Sequence, residues 1–354
     1  MSEREEVEAI LAAIEAADAD LAGVLDARAN AFRKLAALRE RNPDAFVRLP
    51  RDEETIAKVR ERLRAFPASS VEPILRELLS VCASLLAPRV VAFLGDVGGF
   101  AHLAARRQFG RASSYRAVDH VSALLDEVAH ERVSFGVLPL ETSSDGAVTE
   151  TLLGLAASEV RICAEISVRS SYHLLSSSGN ASGIDKVYGT RTALAACSKY
   201  LQRDLPRATI IDVPSPDMAA ELGREDHGAG IVGSELLSEL YPLKIAQAGI
   251  EDRQNVETRY AVVSTHLPSR TGKDRTIIAM AVHDTPGALY ESLKPFASRA
   301  INLKRVESRP TPTWRYLFFV EMDGHVTDRA ILTALEELRG ISRFVQVIGS
   351  YPLA

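Results

Sequence analysis

The chain has 354 residues, 46% of them hydrophobic and 25% charged, with a formal net charge of -5. That length exceeds one compact core and implies two or three domains. The charge excludes a field that would gather nucleic acid or an anionic membrane, and no run nears the ~18 apolar residues of a membrane span. The acidic start, MSEREEVEA, lacks the character of a secretory signal, so a cytoplasmic protein is expected. Cys82, Cys163 and Cys197 lie in apolar stretches without CxxC spacing, and no two histidines stand as HxxxH. Buried thiols, no metal and no cofactor are the expectation.

Residues 1–88 contain one glycine, Gly23, and apolar residues at three- and four-residue steps from Val7 to Leu25. That periodicity predicts a long amphipathic helix, followed by a loop around 42–50. A second helix is expected over 51–64 and a third over 71–86, with Ser69 or Ser70 as its N-cap. Three such helices cannot bury all their apolar faces within one chain, which points to dimerisation.

From Arg89 the texture changes. The short apolar runs VVAFLG, VSFGVLPL, VRICAEISV, KVYGT, ATIIDV, GAGIVG and YAVVST alternate with helical stretches, the pattern of α/β layers with largely parallel sheets. SRTGKDR, at 269–275, reads as a short polar linker. Beyond it the order strand, helix, strand, strand, helix, strand forms a βαββαβ unit. The expected class is therefore multidomain α and α/β: a helical domain over 1–88, a two-lobed α/β domain over 89–268 and a βαββαβ domain over 269–354.

The last segment carries DTPGALYESLKPFASRAINLKRVESRP, RYLFFVEMDGH and GSYP, and along its whole length it resembles the ACT domain of bacterial prephenate dehydratases. Pro286 and Gly287 would open a helix whose free N–H groups can take a carboxylate. The resemblance implies a phenylalanine site shared between two subunits, built here from Gly287, Ala288 and Leu289 with Glu307, Ser308, Arg309 and Pro310. The bland alternative is a turn and a surface ion pair between Glu307 and Arg309.

Residues 89–268 resemble the prephenate dehydratase catalytic domain, whose active site lies between two lobes. The family's GPxGTFSHxAA stands here as GDVGGFAHLAA from Gly95, and PIENSxxG as Pro139-Leu140-Glu141-Thr142-Ser143-Ser144-Asp145-Gly146. SHPQALxQC becomes GTRTALAAC, with Arg191 where the family has proline. NxTRF becomes Val256-Glu257-Thr258-Arg259-Tyr260, unless Asn255 supplies the asparagine. The resemblance makes Thr258 the catalytic hydroxyl and Arg259 its motif partner, with Glu141, Thr142 and Ser143 as further candidates. Arg191 could anchor a substrate carboxylate. Donors are missing at Gly99 and Ala101, each lost bond to a charged group costing about 1.5–3 kcal/mol. A structural role for Thr258-Arg259, capping an edge strand, is the alternative.

Residues 1–88 resemble the helical chorismate mutase domain that precedes this dehydratase in bifunctional enzymes. That pericyclic reaction needs cations around two carboxylates and a donor at the ether oxygen. Arg28, Arg39 and Arg51 match the family's cations. Leu11, Arg48, Cys82 and Leu86 stand where the family has polar or oppositely charged groups, so mutase activity is not expected. The implied whole is a prephenate dehydratase of phenylalanine biosynthesis, allosterically regulated by phenylalanine. Its small-molecule partners would be prephenate, chorismate in a mutase-competent chain, and the effector, in a homodimer or homotetramer. A related enzyme such as a decarboxylase, or a silent phenylalanine-binding regulatory paralogue, stays open.

Overall fold

A computed structural model of the chain describes residues 2–41, 52–311 and 316–353. It divides into two compact units, residues 1–89 with 109–114, and residues 90–108 with 115–354.

The first unit is helical: α1 (Glu3–Arg41), α2 (Asp52–Arg62) and α3 (Ala68–Leu86). The expected loop at 42–50 lies outside the described residues. The third helix starts earlier than its serines suggested. Its N-cap is Pro67, extended and without a side-chain cap, so the fixed φ of proline sets the start. Within this unit, Val7, Ile10, Leu11, Ile14, Leu21 and Val24 on α1 are each more than half exposed. The predicted apolar stripe lies exposed among the described residues of one chain.

The second unit opens with β1 (Val90–Leu94), α4 (Phe100–Phe109), β2 (Ser114–Val118), α5 (Val121–Ala129), β3 (Phe135–Thr142), β4 (Gly146–Ala147), α6 (Thr149–Ala156) and β5 (Arg161–Arg169). The chain then builds a second lobe from β6 (His173–Ser176), β7 (Lys186–Gly189), α7 (Arg191–Ala196), α8 (Ser198–Asp204), β8 (Thr209–Asp212), α9 (Pro216–Glu225), β9 (Ala229–Gly233), α10 (Leu236–Leu240) and β10 (Lys244–Gln247). It returns to the first lobe through β11 (Glu257–Ser264). The unit closes with β12 (Asp274–Ala281), α11 (Ala288–Ala297), β13 (Leu303–Pro310), β14 (Tyr316–Asp323), α12 (Arg329–Ile341) and β15 (Phe344–Pro352), the expected βαββαβ order.

Two sheets result, one ordered β13-β14-β12-β15-β5-β11-β3-β1-β2 with β4 beside β3, the other β10-β6-β9-β7-β8. Both are mixed rather than largely parallel. The chain crosses between lobes at β5–β6 and again at β10–β11, so β11 returns antiparallel to both β5 and β3. The larger sheet also runs without a break from the catalytic lobe into the βαββαβ unit, where β15 meets β5 in parallel at Gly349 and Ile162. A Cβ at Gly349 would overlap Ile162, so only glycine permits that approach. The segment read as a linker is a fixed turn: the buried Asp274 carboxylate accepts the N–H groups of Thr271 and Gly272 and the Thr271 hydroxyl. One hydrophobic core joins Leu138, Leu155 and Ile162 to Ile277, Phe319 and Tyr351, so lobe and βαββαβ unit bury their apolar surface together.

Candidate active site

Between the lobes lies an open cavity of about 460 Å3, lined by the Asp96–Phe100 turn, Tyr172, Thr190–Ala193, Asp212–Pro216 and Val232–Ser234. The turn leads into α4 and is held from both sides. Gly98 N donates to His102 Nδ1 at 3.2 Å, and Ser234 Oγ of the second lobe donates to Gly98 O at 2.6 Å. Gly98 has φ +80, and a Cβ there would overlap Leu237, so glycine is required twice over. His102 is buried against Phe93, and its burial, with Arg106 nearby, lowers its pKa to about 4. It is therefore a neutral acceptor for the Gly98 amide.

Arg191 lines this cavity, as the sequence suggested. Its Nε donates to Asp212 Oδ2 at 3.1 Å while the side chain remains 90% exposed, so the pairing is easily exchanged for a ligand carboxylate. Tyr172 and Asp96, which sequence reasoning did not single out, also line it. Tyr172 packs edge-on against Phe100 at 5.0 Å, and burial foremost, then Cys197 and Glu251, pushes its phenol up to about 12. Burial, Asp217 and Asp119 hold Asp96 above the usual carboxylate range.

The other catalytic candidates do not line the cavity. Thr258 is the second residue of β11, next to the crossover between lobes. It is buried, with Oγ1 3.4 Å from Ser170 Oγ, and one residue of chain separates Ser170 from the cavity-lining Tyr172. Thr142 faces Thr258 in register, yet its hydroxyl closes a turn by accepting Asp145 N at 3.1 Å. Ser143 clips β3 to β11, donating N–H to Glu257 O and accepting Glu257 N at its Oγ. Asn255 takes a left-handed conformation (φ 64) in the loop before β11 and is exposed.

Arg259 points to the opposite face of the sheet from Thr258, because side chains alternate along a strand. Its Nη1 donates to Glu141 Oε2 at 2.8 Å, its Nε and Nη2 to Glu165 at 2.8 and 2.6 Å, and Nη2 lies 3.3 Å from Glu321. Arg275 adds Nε to Glu321 at 2.9 Å, and Tyr351 OH donates to Glu165 at 2.8 Å. Arg305 joins the cluster through ion pairs with Glu141 and Glu307. Burial alone would raise Glu165, but the bonds and charge of Arg259 outweigh it and hold the carboxylate below its usual range. The reciprocal field raises Arg259 above the ordinary guanidinium value. One signal could have found this cluster: Glu165 and Glu321 interrupt the apolar strands RICAEISV and YLFFVEMD, and a carboxylate in such a strand must find a cation.

In the βαββαβ unit, Gly287 (φ 83) is the left-handed N-cap of α11, with Ala288 and Leu289 opening the helix. Glu307, Ser308, Arg309 and Pro310 close β13, the edge strand of the large sheet. Arg309 Nη2 pairs with Glu307 Oε2 at 2.8 Å, and Ser308 is exposed. In the helical unit the Arg28 guanidinium lies 5.5 Å from the Phe32 ring centre, with a buried Nε that finds no acceptor among the described residues. Cys82 is buried and Leu11 is exposed. The Arg39 side chain, Arg48 and Arg51 lie outside the described residues. Among those described, no group of three or more His, Cys, Asp or Glu side chains could hold a metal ion, and no helix is long and apolar enough to cross a membrane.

A cleft between two α/β lobes, continuous with a βαββαβ unit, defines an enzyme of the ACT-regulated type. Comparison with known proteins gives the family. The prephenate dehydratase pattern matches residues 91–267 and the ACT domain pattern residues 276–340. A bifunctional chorismate mutase/prephenate dehydratase of Aquifex aeolicus is 34% identical over 99% of both chains. One from Neisseria gonorrhoeae is 33% identical over 97% of this chain and 96% of its own. The crystal structure of a prephenate dehydratase from Arthrobacter aurescens in complex with L-Phe superposes with a TM-score of 0.65 at 32% identity, over 75% of this chain and 90% of that one. The chain belongs to the bifunctional chorismate mutase/prephenate dehydratase family.

Proposed function

We propose that this protein is a prephenate dehydratase, converting prephenate to phenylpyruvate, water and CO2, with phenylalanine as the effector of its ACT unit. The observation that carries the reading is the interlobe cavity of about 460 Å3, roomy enough for a ten-carbon acid, in a chain related end to end to enzymes of that name. Loss of the ring hydroxyl together with CO2 is driven by aromatisation, so the protein has to hold carboxylates and supply a proton to the leaving oxygen. Arg191 is the cavity's cation, and the turn at Gly98 and Gly99 allows close backbone approach. Thr258 is the assigned proton donor, with Arg259, Glu141, Thr142 and Ser143 fixing the strands around it.

The effector segments, Gly287–Leu289 and Glu307–Pro310, lie on exposed helix and edge-strand ends that suit a site completed by a second subunit. The exposed apolar stripe of α1 favours the same self-association, as a homodimer or homotetramer. Mutase activity is absent in this reading, since Leu11 supplies no cation to a carboxylate and Cys82 and Leu86 are poor donors to an ether oxygen. A second reading, a different reaction on prephenate or a related cyclohexadienol acid, draws support from one observation. The Asp96 carboxylate in the cavity opposes a dianionic substrate and lowers the value of Arg191. The test is incubation of the purified protein with prephenate. Phenylpyruvate, read by its absorbance at alkaline pH, supports the dehydratase; a decarboxylated, non-aromatic product supports the second reading and overturns the first.

A further inference from the structure

We infer that Arg305 is a coupling residue: through Glu141 it ties the effector segment to the paired strands that carry Thr142 and Thr258. The inference rests on the dehydratase and effector readings above and names the residue through which the two communicate.

Leu303, Arg305, Glu307 and Arg309 fall on one face of β13, at the two-residue spacing of a strand. Glu307 is shared, pairing with Arg309 at 2.8 Å on one side and with Arg305 on the other. Arg305 also pairs with Glu141 on β3. Five strands separate β13 from β3 in the sheet order, which would place them roughly 29 Å apart in a flat sheet at about 4.8 Å per step. Their contact therefore exists because the sheet curls, and Arg305 to Glu141 is a bond across that curl.

Glu141 accepts simultaneously from Arg259 at 2.8 Å. Arg259 directly follows Thr258, Glu141 directly precedes Thr142, and Thr258 is the register partner of Thr142. An unbroken line of charge-assisted contacts thus runs Arg309, Glu307, Arg305, Glu141, Arg259. An amino-acid carboxylate drawn to Arg309 competes with Glu307 for its guanidinium. Glu307 then draws more fully on Arg305, and the hold of Arg305 on Glu141 loosens. Effector binding and strand position become two states of one chain of pairs, which is what coupling between sites requires. Loss of Arg305 does not loosen β11 itself, because Arg259 keeps its paired bonds to Glu165, and Glu165 keeps Tyr351.

The test uses the full chain with Arg305→Gln, and with Arg305→Lys, which keeps a charge but cannot bridge two carboxylates. Calorimetry measures phenylalanine binding, and kcat/KM for prephenate is measured with and without saturating phenylalanine. Wild type is expected to bind phenylalanine and change kcat/KM by about fivefold or more. Arg305→Gln should fold, bind phenylalanine and keep its basal turnover, with the phenylalanine effect reduced to less than about twofold; Arg305→Lys should fall between. Full coupling in Arg305→Gln overturns the inference, as does a wild type that binds no phenylalanine. Should wild type bind phenylalanine yet turn over no prephenate, the dehydratase reading fails by itself. Amide hydrogen exchange across residues 257–264 then decides: a phenylalanine-induced change in wild type that vanishes in Arg305→Gln supports the coupling, and one that persists overturns it.

Discussion

Replacing Arg259 by methionine removes the centre of the charge cluster while keeping most of its apolar stem. Glu141, Glu165 and Glu321 would then face only Arg275 and Arg305, three carboxylates against two cations. Breaking a fully buried ion pair costs about 3–5 kcal/mol by stranding the remaining charge. Arg259 is 21% exposed and Glu321 7%, so screening trims the range to about 2–4 kcal/mol. For a unit of this size that corresponds to a fall in Tm of about 5–12 °C at pH 7. The pH dependence carries the sharper signature. In wild type Glu165 is held below its usual pKa, so its contribution is present above the unfolded carboxylate value of about 4.3 and is lost as pH falls through the lower folded value. In Arg259→Met burial dominates and Glu165 rises instead, so acid relieves the variant by neutralising a stranded charge. Thermal unfolding of both proteins from pH 7 to pH 4 should show the gap between them narrowing as pH falls. A gap under about 1 kcal/mol at pH 7, or one constant with pH, refutes the assignment of this cluster as a paired, partly buried network.

His102 acts in the same direction as wild-type Glu165, over a higher pH window. With its pKa lowered to about 4 from 6.5, the folded state refuses a proton that the unfolded chain accepts, so stability should fall by about 2–3 kcal/mol between pH 6.5 and pH 4. His102→Gln should flatten that slope, and a slope unchanged by the substitution would place its origin elsewhere. The helical unit should show no chorismate-to-prephenate conversion in a direct assay; turnover within ~100-fold of the enzyme median of ~10 s⁻¹ would mean that Arg28 and its neighbours still form a working site.

Much of the architecture was legible because periodicity and turn chemistry are local. The α1 stripe and the βαββαβ order both follow from neighbours in sequence. What escaped depends on residues far apart. Nothing local to Gly349 announces that β15 will pair with β5 and fuse two sheets into one. Glu141 and Arg259 stand in a motif that suggests chemistry, and only the alternation of β3 and β11, fixed by the two crossings between lobes, turns them away from the cleft. Thr142 and Ser143 likewise spend their hydrogen bonds on a turn and a strand clip. Tyr172 and Asp96 were passed over because neither belongs to a recognisable pattern; the cavity wall brings them together. The polar character of 269–275 suggested a free linker, whereas Asp274 satisfies its amides and makes it rigid.

The most direct measurement on the central account is the kinetics of Thr258→Val and Tyr172→Phe with prephenate, beside Thr258→Ser. Both losses remove one hydroxyl and keep the shape, and the two residues are the buried and the cavity-lining candidates for the proton donor. A bond that strengthens as charge develops on the leaving oxygen acts on kcat more than on KM. The account predicts that Thr258→Val lowers kcat by ~10²–10⁴-fold, that Thr258→Ser recovers much of it, and that Tyr172→Phe stays within about tenfold of wild type. An unchanged kcat in Thr258→Val together with a collapse in Tyr172→Phe would contradict it and move proton delivery to the cavity wall.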